Sequence, residues 1–268
     1  MMKKYMSFFR LRLLAGLQYR TAALAGMATQ FFWGFMEIMV FHAFYRADPG
    51  AYPMTMEATS AYVWLQQALL AFFGAWMFEG EIFETISSGN LAYELCRPIH
   101  VYDMWFARSI ANRLSKAALR CLPILAVAAF LPRGYGLGLP VSLPAFLCFL
   151  TSLILGLFVM VALNMLVYGS CLYTISGDGM RILFASLSEF LAGQVIPLPF
   201  FPEKVQRILE LNPWASMGNV PFRIYGGDLA GTEMLRAMIL QAVWLILLVA
   251  VGKLLCAGGE KRAVVQGG

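Results

Sequence analysis

An all-α integral membrane protein with six transmembrane helices, both termini inside, is the fold this sequence predicts, and three observations predict it. The chain of 268 residues is 60% hydrophobic and only 13% charged, whereas soluble domains hold about 45–50% apolar and about 25% charged residues. Its apolar residues come in runs of about 20, the length that spans hydrocarbon as a helix and twice what a barrel strand needs. Its Lys and Arg residues are unevenly spread between the loops, and the richer side of a membrane protein faces the cytoplasm.

Residues 1–20 read as an interfacial helix. Tyr5, Phe8, Phe9, Leu13 and Gly16 share one arc at helical spacing, with Lys3, Lys4 and Arg10 elsewhere. Arg12 spoils the arc by falling inside it, and Leu11 and Leu14 fall outside. The segment lacks an A-x-A-type cleavage site and the apolar run after it is too long for a signal peptide. The first span covers 21–45 and the second 59–79. A charged insert follows over 80–103, too long for a plain turn, and it reads as a short surface helix around Ile86 to Leu95. Such a segment offers a handle to a soluble partner.

The third span, 104–131, begins with Arg108, Asn112, Arg113, Lys116 and Arg120. It is expected to start in the headgroup layer with these side chains snorkelling. The fourth span, 143–173, exceeds what a bilayer needs and must tilt or protrude; the fifth covers 179–198. The segment 199–231 carries Pro199, Pro202, Pro213 and Pro221, which with Pro197 are five of the twelve prolines. It cannot be one straight helix. A short helix from Pro202 to Leu211, a stop at Asn212-Pro213, a second short helix and a turn at Tyr225-Gly226-Gly227-Asp228 are expected, at or dipping into the outer face. The sixth span is 233–257, before a cytoplasmic tail, 258–268. With both termini inside, fourteen of the twenty Lys and Arg residues are cytoplasmic, and the net charge of +5 reflects topology and anionic lipid. Nucleic-acid binding is excluded, because no basic patch is interleaved with exposed aromatics.

Polar residues at membrane depth are the other candidates, since a charge in hydrocarbon must be paired or hydrated. Glu37 has Gln30 and Trp33 at i−7 and i−4, and Glu189 has Ser186 and Gly193 at i−3 and i+4. Either carboxylate could sit near the headgroups, or be protonated and hydrogen-bonded within one chain. Asn164 reads as a helix–helix hydrogen bond. The five cysteines form no C-x-x-C pair and there are two histidines, so no disulfide, metal site or catalytic cluster is expected.

The order of these elements resembles the permease subunit of an ABC-2 type ABC exporter. Two stretches sharpen the likeness to ABC-2 family transporter proteins: Ser88-Gly89-Asn90-Leu91-Ala92-Tyr93-Glu94-Leu95-Cys96-Arg97-Pro98, and Gly193 to Pro202 with the later Asn212-Pro213 and Tyr225-Gly226-Gly227. The resemblance covers nearly the whole chain. It implies that the insert is a coupling helix docked on an ATPase. Leu91, Tyr93 and Leu95 would then fill a groove beside Ile86, while Glu84, Glu94 and Arg97 set register. No G-x-x-x-x-G-K-[ST] loop is present, so ATP and Mg belong to a separate ABC ATPase, in two copies, and this chain binds no cofactor. A second permease, identical or related, completes the unit in a bacterial cytoplasmic membrane. By the same resemblance, spans one and five meet near the permease–permease interface and line the route between subunits, which implies that Glu37 and Glu189 could line a cavity there or hold the two chains together. Two alternatives stand beside the exporter: a membrane-embedded enzyme acting on lipid or glycan, for which no catalytic cluster is visible, and a channel or secondary transporter, for which no inverted repeat is visible.

Overall fold

The computed structural model describes residues 2–18, 20–48, 50, 52–174 and 177–262, without the side chains of Met2, Arg20 and Ala22. The described residues are helical with no strand. In order they form α1 (Met2–Gly16), α2 (Arg20–Ala47), α3 (Met56–Ala68), α4 (Leu70–Phe73), α5 (Gly80–Ser87), α6 (Leu91–Leu95), α7 (Val101–Phe130), α8 (Leu143–Cys171), α9 (Asp178–Leu191), a 3-10 turn (Leu198–Phe200), α10 (Glu203–Glu210), α11 (Asn219–Gly226) and α12 (Gly231–Glu260). Three are long and apolar enough to cross a membrane: Ala23–Ala47 in α2, Leu143–Cys171 and Gly231–Glu260. Residues 263–268 of the expected tail lie outside the described residues.

Helix α2 runs parallel to α7, with Gly26 against the Arg120 guanidinium and His42 stacked on Tyr135 just beyond the end of α7. Helix α3 returns antiparallel to α2, since the Tyr45 hydroxyl meets Thr59 while Gln67 reaches Glu37. Helices α8 and α12 pack side by side, joined at Ser152 and Gln241. Most buried apolar side chains belong to one cluster around Trp64, Phe73, Met160 and Phe222. A second cluster, around Ile82, Leu91, Trp105 and Tyr168, lies at the end of the bundle that carries α5 and α6.

Three expectations about elements change. The stretch expected as a second span breaks at Leu69 and stops at Gly74, leaving 74–79 outside any helix. The insert is two helices, because Gly89 adopts a left-handed φ of 74°, which a residue with a Cβ enters only at a cost. Helix α9 ends at Leu191 and Gly193 turns the chain with φ 69°, short of the expected 198. The breaks at Gly74 and after Leu191 sit where the backbone finds side-chain partners.

The first partner is Arg113. Its guanidinium donates to the carbonyls of Phe72 (2.8 Å), Met77 (3.0 Å), Ala71 (3.2 Å) and Gly74 (3.3 Å), and it is 2% exposed. The last carbonyls of a helix have no intrahelical donor, and a five-donor fork suits such a cluster. Arg108 is likewise enclosed, at 3% exposure. The snorkelling expectation therefore fails for both: protein groups, not headgroups, receive these cations.

Helix α1 packs lengthwise against the first half of α7. Tyr5 lies beside His100, Arg12 beside Arg108 and Glu81, and Gly16 against Ser115. Arg12 interrupts the apolar arc of α1 because it faces inward to a carboxylate.

Candidate functional site: a clamped insert and an inward hairpin

Helix α5 begins with two carboxylates that the sequence analysis did not single out. Glu79 accepts from Asn112 of α7, and its backbone amide donates to the Tyr168 hydroxyl of α8 at 2.7 Å. Glu81 accepts from Arg108 of α7 and from Arg12 of α1, the latter at 3.2 Å. Partial burial alone would raise the Glu81 carboxyl, but the guanidiniums of Arg108 and then Arg12 outweigh it and hold it below its ordinary value. The insert is thus fastened to three helices at once. The sequence signal was available: Arg108 and Asn112 stand one helical turn apart, facing two acidic residues that directly follow an apolar run.

Helix α6 divides its residues between two faces. Leu91 is buried in the second cluster, and Glu94 is buried accepting the Trp105 indole N–H at 2.6 Å. Neither is presented to a partner, which corrects the expectation for both. The outer face carries Tyr93, 74% exposed, with Leu95, Arg97 and Pro98 also exposed. Ile86 packs partly against the second cluster, whereas Glu84 and Ser88 are exposed. Beside this face opens a cleft of about 370 Å³ lined by Tyr5, Leu95, Arg97, His100 and Glu260 among others.

At the other end, the segment after α9 turns inward. Phe200 packs on Phe41 (5.1 Å) and Tyr52 (5.7 Å), after buried Pro197 and Pro199. Exposed Pro202 then caps α10. The turn between α10 and α11 lies deep: Asn212 donates to the Leu191 carbonyl, Trp214 packs on Phe184 and Gln241 donates to the Ser216 carbonyl. Pro213 sits in this turn, half-buried. Gly156 of α8 is required here, since a Cβ at that position would stand 2.3 Å from the Met217 carbonyl oxygen. Helix α11 climbs back with Phe222 against Tyr62 and Phe73, Gly226 on Ala58, and Tyr225 donating to the Gly138 carbonyl at 2.8 Å. Arg223 of α11 ties the arms together by pairing with Glu210 of α10 and with Asp228 at 2.5 Å.

The membrane-depth candidates do not converge on one site. Gln30 is buried with neither side-chain end hydrogen-bonded among the described residues, Trp33 faces outward, and Glu37 accepts from Gln67 at 3.4 Å. The expected shared face of Gln30, Trp33 and Glu37 is therefore split, because the packed stripe of α2 runs through Ala23, Gln30 and Ile38. On α9, Ser186 is exposed and Glu189 half-buried, and Gly193 in the turn after it is buried. Asn164 is buried without a hydrogen bond among the described residues, contrary to its expected helix–helix role. Between α3, α9 and the hairpin is a void of about 10 Å³ lined by Gln66, Gln194 and Asn219 among others, about the room of one water.

No curated protein and no solved structure matches the chain. The family described as ABC-2 family transporter protein matches it over residues 31–267. That match covers the insert, the hairpin, most of the first helix long and apolar enough to cross a membrane and the whole of the other two, and the chain belongs to the ABC-2 family of transporter proteins, a membrane component of ABC transport.

Proposed function

We propose that this chain is the permease subunit of an ATP-driven exporter, working beside a second permease and driven by two copies of a separate ATPase that carries the ATP and Mg. One observation bears most of the weight. The insert has its inner face clamped to α1, α7 and α8 through Glu79, Glu81, Leu91 and Glu94, while Tyr93 and Leu95 stand bare on its outer face. A rigid-body push needs a contact that is exposed on one side and fixed on the other. Leu95 and Arg97 continue that contact into the neighbouring cleft.

The arrangement in the bilayer follows. The chain crosses six times, with α1, α5, α6 and the end of α12 on the cytoplasmic side of a bacterial membrane. Helices α3 with α4, α7 and α9 with the 3-10 turn make the three crossings that length and hydropathy alone do not identify. The pair α10 and α11 is then a re-entrant hairpin entered from outside, its irregular turn sheltered by protein as a membrane requires. The exposed faces of α2, with Trp33, and of α9, with Ser186, receive the second permease. Glu37, held by Gln67, is a bond within one chain.

Affinity capture of the detergent-solubilised chain from its host tests this reading. We expect a Walker-motif ATPase with the wild type and about tenfold less with Tyr93→Asp, Leu95→Asp, a loss of about 1.4 kcal/mol in contact energy. Equal recovery would place the contact elsewhere. No ATPase with either form would defeat the permease reading.

A further inference from the structure

The tip of the inward hairpin and the surface insert are joined through two side chains. Phe83 of α5 meets Phe78 at 5.7 Å between ring centroids, Phe78 meets Phe184 of α9 at 5.7 Å, and Phe184 meets Trp214 at the hairpin tip at 5.9 Å. Arg181, one turn before Phe184 on α9, lays its guanidinium over Phe83 at 4.8 Å and Phe78 at 5.9 Å. Phe184 is the buried middle of the column. The other ring contact of Phe83 leads sideways to Tyr168 and Trp105, so within the described ring contacts Phe184 alone carries the column on to the hairpin.

A second observation concerns the far end. The Trp214 indole N–H is shielded from solvent and has no hydrogen-bond partner among the described residues, although buried donors are almost always satisfied. A buried group left unmade holds free energy that a shifted hairpin could recover. The rings pack edge-to-face from Phe83 through Phe78 to Phe184 and tilted at Trp214, and close-packed rings resist compression, so displacement of Phe83 passes through Phe78 and Phe184 toward Trp214.

We infer that Phe184 is a positioning residue linking the insert to the hairpin, so that movement of α5 resets the Trp214 turn. This rests on the permease reading above, in which the insert receives the push and the hairpin enters the membrane from outside. Whichever substrate is carried, the outer turn would be reset from the cytoplasmic side by contact alone.

The test uses the full chain in lipid nanodiscs, with 5-fluorotryptophan at all six tryptophans and the Trp214 fluorine line assigned by Trp214→Phe. Phe83 lies two rings away from Trp214, too far to act by ring current. We expect Phe83→Leu to shift the Trp214 line in an otherwise wild-type chain and to leave it in place in a Phe184→Leu background. The Trp33 line, whose ring contact is with Phe32, should hold still throughout and reports that the fold survives. A Trp214 line unmoved by Phe83→Leu, or moved equally with and without Phe184, overturns the inference. With the ATPase bound, vanadate trapping should move the wild-type line and not that of Phe184→Leu. An absent ATPase would defeat the permease reading alone, because the comparison in the isolated chain still decides the aromatic link.

Discussion

Arg113 and Arg108 solve different problems with the same guanidinium. Arg113 satisfies carbonyls that the break at Gly74 leaves bare, and each buried acceptor left unmade costs about 1–3 kcal/mol. Arg113→Met should therefore destabilise the solubilised chain by about 3 kcal/mol or more, read as an earlier thermal unfolding transition. Arg113→Lys should recover only part, since an ammonium lacks the planar fork. Arg108 has a carboxylate partner whose own side chain is 63% exposed. Removing that partner with Glu81→Gln should cost about 1–3 kcal/mol, less than the roughly 3–5 kcal/mol of a fully buried pair. The acidic pair after the apolar run hinted at a partner for Arg108, but nothing in the sequence marked the carbonyls that Arg113 binds. A run of cations entering an apolar segment is compatible with snorkelling or with internal pairing, and the choice depends on which backbone atoms arrive opposite.

Among the elements, the insert is where charge state and conformation are tied. The Glu81 carboxyl is held below its ordinary value of 4.5 by Arg108 and Arg12. A depressed carboxyl contributes its stability fully above 4.5 and loses it as pH falls through the lower folded value. Amide exchange across residues 82–88, corrected for its intrinsic pH dependence, should thus accelerate only below pH 4.5 in the wild type. In Glu81→Gln it should already be fast at pH 7. An insert equally protected in both forms at pH 7 would show that Glu79 and Leu91 hold it unaided. The sequence predicts a surface helix here and names Tyr93 on it; the structure has two helices, with Tyr93 exposed on the second. The sequence assigned Leu91 and Glu94 to the wrong face because a five-residue helix, Leu91–Leu95, is too short for periodicity to fix its rotation. Trp105, eleven residues further on, fixes it by binding Glu94.

For the molecule as a whole, orientation is the open quantity that a single side chain can report. Cys96, exposed at the end of α6, stands on the face assigned to the ATPase. With the other four cysteines changed to Ala or Ser, intact cells should label Cys96 with a membrane-permeant maleimide and not with a sulfonated, impermeant one. Labelling by the impermeant reagent would invert the proposed arrangement. The same placement requires the hairpin turn at Asn212 to Gly218 to be reached from the other side, where Arg223, Glu210 and Asp228 hold its two arms.

Composition and run length by themselves determined the class of this protein, since burial of so much apolar surface admits only a membrane solution, and the long apolar runs of α2, α8 and α12 are helices by length alone. The prolines and Gly226-Gly227 likewise announced a broken segment before α12, because proline removes a donor whatever surrounds it. Tertiary structure decided the rest. It stopped the second apolar stretch at Gly74 and α9 at Leu191, where Arg113, Gln66 and Gln194 supply long-range partners to the freed backbone. It also turned Arg12, Leu91 and Glu94 inward. Helical periodicity describes one helix against an average environment, and these choices depend on the particular neighbour across the interface.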